Sequence, residues 1–419
     1  MNRVMITGLG VTCPAGVGRE AFWSNLIAGR SGVGQISLFD ASSFPVRIAG
    51  EVKDFDAASV REKNPQAVNT RDRKVLLALQ AAEEAVGDAG LAKHDLENAA
   101  LCYGVGLEAF FLEDLTPCVH QPDFAQALAD FLLRENPHRN MQTPLDCASR
   151  ILGDRFGFRA GRYTNCSACA AGSQAIGEAW QILREGTASV VLAGAADSMI
   201  NPLGVGGFSL LKVLSEENGH PQKACRPFDA TRKGTVLGEG SAMLVLETLE
   251  HAQARSARIY AELLGYGSSL DAFRVSDPDP EGRGAVRSMK KAIAAAGLRP
   301  EDIDCVNAHG TGTPKNDRVE TMAIKAALGE RAWQIPVHAV KSMTGHLIAA
   351  SGAVEAVVAT LSIHGSKVPP TINLEHPDPE CDLDYVAHKA RDFQGNTVLS
   401  NSFGFGGQNA TLIFGRYEE

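Results

Sequence analysis

Arg162-Tyr163-Thr164-Asn165-Cys166-Ser167-Ala168-Cys169-Ala170-Ala171-Gly172 is a strand-like run that breaks into small residues around a cysteine. Beyond it, residues 174–184 space Ile176, Ala179, Trp180, Ile182 and Leu183 at helical intervals. The stretch predicts a strand, a tight turn and a helix whose first N–H groups face the Cys169 sulfur. Partial positive charge at a helix N-terminus lowers a thiol pKa and binds the anions that a thiolate creates. Taken alone, Cys169 fits a small buried hydrophobe better, as most cysteines do in a chain with nine.

Further strand-like runs at 4–6, 99–103, 189–192 and 242–246 alternate with helical ones at 75–89, 285–296 and 322–328. This alternation predicts a layered α/β fold with much parallel sheet. Two histidines then lie in polar, glycine-rich settings: Asn307-Ala308-His309-Gly310-Thr311-Gly312-Thr313-Pro314 and Lys341-Ser342-Met343-Thr344-Gly345-His346. Each follows an apolar strand-like run, at 303–306 and 335–340. Two strands that end in histidine loops point to one cleft, because open α/β sheets carry their sites at strand C-terminal ends.

With Cys169, His309, Lys341, His346 and the terminal run Asn401-Ser402-Phe403-Gly404-Phe405-Gly406-Gly407, the chain resembles the elongating β-ketoacyl-acyl-carrier-protein synthases. These are the condensing enzymes of fatty-acid and polyketide assembly, and the type II branch is the most similar. The resemblance runs from Val4-Met5-Ile6-Thr7-Gly8-Leu9-Gly10 to Leu412-Ile413-Phe414. It implies the thiolase fold, a five-layer αβαβα sandwich of two similar halves, with residues 1–255 supplying Cys169 and 256–419 supplying both histidines.

A cysteine nucleophile suits acyl transfer, because a thiolate attacks a thioester and leaves it again at little thermodynamic cost. Two neutral imidazoles suit the next step, in which a malonyl thioester loses carbon dioxide and charge develops on its carbonyl oxygen. The resemblance adds the backbone N–H groups of Cys169 and Phe405 as donors to the acyl oxyanion and Lys341 as the residue tuning the histidine network. It also implies that Thr311 and Thr313 hold the pantetheine arm, and that Asn307, Glu355, Ser400 and Asn401 surround a structural water or monovalent cation. Leu107, Phe110 and Phe111 fall where the family lines its acyl pocket. Arg71, Arg73 and Lys74 fall where it docks an acidic carrier protein, although a solvated helix start explains the same charges. The block Arg226-Pro227-Phe228-Asp229 with Gly238-Glu239-Gly240 is expected to be architectural.

Composition narrows the setting. Nine cysteines at irregular spacing, without a signal peptide, fit a reducing cytoplasm. Net charge of −9 opposes general binding to nucleic acid or anionic membrane. Residues 347–363 are the most membrane-like, but Glu355 sits at their middle and they fall short of the roughly 20 apolar residues a span needs, so a buried helix is expected. The expected partners are an acyl carrier protein and either a second copy or a chain-length-factor-like subunit. No organic cofactor and no metal are expected.

Several features depart from the pattern. Residues 108–146 match the family poorly, which leaves chain-length preference open, and Gln408 replaces the usual threonine or serine. Cys166 creates a Cys-x-x-Cys spacing, yet period-two alternation turns it away from Cys169. A degradative thiolase wants a second cysteine near the C-terminus, where only Cys381 stands. Initiating synthases pair one histidine with an asparagine, against which His346 argues. A non-catalytic partner subunit would have lost Cys169. A cysteine hydrolase lacks any supporting signature. Dinucleotide binding at Gly8-Leu9-Gly10 fails because Cys13 stands where the third glycine belongs.

Overall fold

The computed structural model describes residues 1–107, 111, 116, 118–134 and 143–418, without the side chains of 131–134. Five strands carry the first part: β1 (Val4–Cys13), β2 (Ala100–Val105), β3 (Gly161–Asn165), β4 (Val190–Ser198) and β5 (Glu239–Thr248). Five carry the second: β6 (Ala261–Leu270), β7 (Cys305–Asn307), β8 (Val337–His338), β9 (Thr397–Gly404) and β10 (Gln408–Gly415). In space the first set runs β3-β2-β4-β5-β1 and the second β8-β7-β9-β10-β6, the same order shifted by five. The directions repeat as well. β2 is parallel to β3 and β4, as β7 is to β8 and β9, and the remaining pairs are antiparallel. The halves meet where Met5 and Ile6 pair with Glu262 and Ala261. The short strand Gly16–Val17 completes an 11-stranded sheet.

The main described helices are α1 (Arg73–Ala89), α2 (Cys147–Phe156), α3 (Ala171–Glu185), α4 (Pro202–Leu210), α5 (Arg283–Ala295), α6 (Pro314–Leu328) and α7 (Ser351–His364). Helices α1 and α2 cover the outer face of the first half-sheet, and α5 and α6 that of the second. Between the half-sheets lie α3 and α7, each touching strands of both, which gives the five-layer αβαβα order. Strands covered on both faces need apolar residues throughout. All ten residues of β1 are accordingly buried. A Cβ at Gly8 or Gly10 would strike the Ala85 or Ala81 carbonyl, so glycine is what lets α1 lie so close on β1.

Residues 347–363 form a one-turn 3-10 segment, Ile348–Ala350, and then α7, whose residues Ser351 to Ile363 are all buried. A helix enclosed on every side is apolar all round. Among the described residues no helix is long and apolar enough to cross a membrane. The strands expected at 303–306 and 335–340 narrow to three and two residues, because the chain leaves the ladder early to build the histidine loops. Gln408 opens β10 opposite Gly404 and Leu270, and nothing in the structure explains its replacing a hydroxyl residue.

Candidate active site

Cys169 stands in a 3-10 turn, Ala168–Ala170, that runs into α3. Ala168 takes a left-handed φ of 49°, a strained conformation for a residue with a Cβ, and this sharpens the turn. Gly104 of β2 packs on the Ala171 and Gly172 backbone so tightly that no Cβ would fit, which holds the start of α3 against the sheet. Complete burial lifts the Cys169 thiol to about 11, while the Phe405 and Cys169 amides and the Lys341 charge pull it down. The free thiol is therefore neutral, contrary to the lowered pKa expected at a helix start, because desolvation outweighs the nearby positive groups.

A cavity of about 400 Å³ brings Cys169 together with His309, His346, Thr311, Thr313 and Phe405. The two imidazoles lie 5.3 Å apart between centroids and nearly perpendicular, at 84°. Burial first, and the Lys341 charge second, hold both well below the ordinary histidine range, so both are neutral at neutral pH. Their tautomers follow from what meets Nδ1. Lys341 Nζ lies 3.2 Å from His309 Nδ1 and also donates to the His309 carbonyl at 2.7 Å. The Ile348 amide donates to His346 Nδ1 at 3.2 Å, and Ser351 Oγ lies 2.9 Å from the same nitrogen. With Nδ1 accepting in each ring, the proton sits on Nε2, and each histidine is a neutral N–H donor.

Lys341 is buried and ion-paired to Glu355. Burial lifts Glu355 to about 7 against the pull of Lys341. Asn307 donates to the Glu355 carbonyl at 3.0 Å and to Ser400 Oγ at 3.2 Å, while its Oδ1 and the second Glu355 oxygen have no partner among the described residues. Asn401 donates to Glu320 at 3.3 Å. All four residues of the expected network are thus gathered behind the histidines. Thr311 and Thr313 hydroxyls lie 2.9 Å apart on the cavity wall. Phe405 stacks on Phe208 at 6.2 Å, and Gly406 and Gly407, both at φ 77°, turn the chain there.

Three residues escaped the sequence. Glu320 of α6 accepts from the His309 and Gly310 amides at 2.7 and 2.8 Å and fixes that loop. Ser351 also accepts from the Leu347 amide at 2.9 Å, which fixes the His346 loop. Asp317 does the same for Gly312 and joins it to the Phe228 amide, so the block at 226–229 is architectural. Only the spacing of 11 residues from His309 to Glu320 and five from His346 to Ser351 could have hinted at them.

Other expectations are corrected. Leu107 does not line the Cys169 cavity but a second depression beside it. Phe111 lies under the Arg71 guanidinium at 3.9 Å, away from both depressions. Phe110 lies outside the described residues. The apolar groups packed around Cys169 include Met199, Phe208 and Ile348, from three separate segments. Two of the three basic residues expected to dock a carrier point inward instead. Lys74 is buried and donates to the Leu107 carbonyl at 2.5 Å, and Arg73 forms a bidentate pair with the buried Glu239 at 2.7 and 2.8 Å. Both cations are consumed by the interior. Cys166 is exposed and donates to the Gly106 carbonyl at 3.1 Å, whereas Cys169 is buried, in keeping with the alternation read from the strand.

Comparison with known proteins agrees with this geometry. The model of the beta-ketoacyl synthase N-terminal domain matches residues 1–252, and that of its C-terminal domain matches residues 260–375. A 3-oxoacyl-[acyl-carrier-protein] synthase 2 of Synechocystis is 42% identical over 425 residues, covering 100% of this chain and 99% of its own. Two solved ketosynthases align over 100% of both chains. One, from a type II polyketide synthase, is in complex with its acyl-carrier protein and bound to the hexaketide (33% identity, TM-score 0.84). The other is the ishigamide ketosynthase/chain length factor (34%, TM-score 0.87). The buried thiol, the paired imidazoles and these full-length matches have one explanation: the chain belongs to the beta-ketoacyl synthase family.

Proposed function

We propose that the chain moves an acyl group from a carrier thioester to Cys169 and condenses it with a malonyl carrier, releasing a 3-oxoacyl carrier and carbon dioxide. In the first half-reaction the Cys169 thiol exchanges with the donor thioester, a new S–C bond forms, and the proton leaves on the departing carrier thiol. In the second, the malonyl thioester loses carbon dioxide and its enolate oxygen accepts hydrogen bonds from His309 and His346 Nε2–H. The carbanion then attacks the acyl carbonyl, whose oxyanion rests on the Cys169 and Phe405 amides, and the sulfur leaves. The observation that carries this reading is the pair of buried neutral imidazoles with Nδ1 occupied, sharing a cavity with one cysteine.

In this reading Lys341 keeps His309 in its donor tautomer, and Asn307, Glu355, Ser400 and Asn401 support it from behind. Thr311 and Thr313 line the path of the pantetheine arm. The halves divide as 1–255 and 256–419. The enzyme needs no organic cofactor and works in the cytoplasm. We place carrier docking at the cavity mouth, where Lys212, Lys233 (near Glu217) and Lys315 (paired with Asp277) stand beside the exposed Leu210, Leu211 and Val275. Positive charge around an apolar rim suits an acidic carrier helix. The second subunit, a copy or a chain-length-factor-like partner, pairs with β3, an edge strand whose residues Arg162 to Thr164 are exposed.

The test is single-turnover elongation with acyl and malonyl carriers. His309→Asn and His346→Asn should still become acylated on Cys169, yet extend the chain on the order of 100-fold more slowly. Unchanged elongation in both variants would remove the histidines from the chemistry.

A further inference from the structure

Between the two histidine loops runs a short segment that the reaction described above leaves unused. The Gly234 amide donates to the Gly312 carbonyl at 3.2 Å, and the His346 amide donates to the Val236 carbonyl at 2.7 Å, so residues 234–236 tie one loop to the other. Thr235 stands at the centre of that tie. Its amide donates to the Val213 carbonyl at 2.8 Å and its carbonyl accepts from the Ser215 amide at 2.7 Å, which fixes the backbone and leaves only the side chain to act. Thr235 is 3% exposed and lines the cavity that holds Cys169, His309 and His346.

The Thr235 hydroxyl has no hydrogen-bond partner among the described residues. It faces the buried Cys225 thiol out of bonding geometry, and that thiol donates instead to the Thr311 carbonyl at 3.8 Å. Other polar side chains of the wall are committed elsewhere. Thr311 and Thr313 bond each other at 2.9 Å, and Asn409 spends its amide on Asp271 and the Gly407 carbonyl at 2.7 and 3.0 Å. Each imidazole has one N–H to give, and the enolate oxygen takes both. A buried hydroxyl left unpaired is costly until a ligand supplies the missing acceptor. A malonyl thioester brings one: with its carbonyl oxygen on the two Nε2–H groups, its carboxylate lies one methylene further on, and none of the committed groups can receive it. A single staggered step about χ1 turns the Thr235 hydroxyl without moving the backbone.

We propose that Thr235 contacts the extender substrate: its O–H donates to the malonyl carboxylate and selects a carboxylated thioester for the second half-reaction. The inference rests on His309 and His346 being the decarboxylating donors. The bond exists only before carbon dioxide leaves, so it stabilises the bound extender rather than the transition state, and its loss appears in KM rather than in kcat. The acyl donor carries no such carboxylate and gains nothing from it.

The experiment measures, in the full chain, acylation of Cys169 from an acyl carrier and, separately, elongation of the acylated enzyme against malonyl-carrier concentration, for wild type, Thr235→Val and Thr235→Ser. Valine keeps the shape and loses the hydroxyl, whereas serine keeps the hydroxyl. Thr235→Val should raise KM for malonyl carrier about tenfold, the lower end for a hydrogen bond to a charged group, with kcat and acylation unchanged, and Thr235→Ser should keep the wild-type KM. Should Thr235→Val fail to fold, Thr235→Ala carries the same test. An unchanged KM in the folded variant, an equal rise in Thr235→Ser, or a matching fall in acylation overturns the proposal and leaves the role of the histidines standing. A wild type that takes up the acyl group yet never extends it overturns both.

Discussion

At the scale of single residues, the site depends on which nitrogen carries each proton. His346 donates from Nε2 because the Ile348 amide and Ser351 Oγ occupy Nδ1. Ser351→Ala removes one of these partners and frees the ring to reorient; decarboxylation of malonyl carrier should slow about tenfold, with acylation of Cys169 retained. Stopped-flow release of carbon dioxide checks this. His338 shows the cost of an imidazole without partners, since neither of its ring nitrogens is hydrogen-bonded among the described residues and burial holds it at about 3. Below about pH 6.5 the unfolded chain binds this proton and the folded chain does not, so stability falls as pH drops from 6.5 toward 3. His338→Leu should therefore lose roughly 2 kcal/mol less than wild type between pH 7 and 5 in urea unfolding. Cys169, His309, His346 and Lys341 were legible because each sits in a short motif of its own. Glu320 and Ser351 were not, because their work is to bond a loop from a neighbouring helix. Lys74 misled, since a positive charge in a sequence does not say whether it faces water.

At the scale of elements, α1 is pinned to β5 by the bidentate Arg73–Glu239 pair, and Glu239 also accepts from Ser198 Oγ at 2.7 Å and the Val52 amide at 3.0 Å. Arg73→Met strands a fully buried carboxylate and should destabilise the fold by about 3–5 kcal/mol. Chemical denaturation reads that loss; a docking role would instead appear as a raised KM for carrier with stability unchanged. The long apolar runs of β1, β4, β5 and α7 were readable because burial on both faces leaves no polar alternation. Strands β7 and β8 were harder, being only three and two residues long. The shared order of the half-sheets could not be read at all, since it lies in long-range strand pairing while the connecting loops differ.

At the scale of the whole molecule, a chain of net charge −9 must attract an acidic carrier through a local field. Reversing Lys212 and Lys315 together to Glu should raise the KM for carrier substrates about tenfold at low salt, and the gap should narrow as added salt shortens the screening length. Steady-state kinetics at two ionic strengths would show it. Two halves of like topology, one giving the thiol and the other the histidines, bring Cys169, His309 and His346 to one cavity. The most direct test of that division is intact-protein mass spectrometry after mixing the chain with an acyl-loaded carrier and then malonyl carrier. One acyl mass should appear on wild type and vanish as a carrier product two carbons longer forms, while Cys169→Ala stays unmodified. Acylation of the Cys169→Ala chain, or a wild type that is acylated yet never extends the chain, would contradict the account.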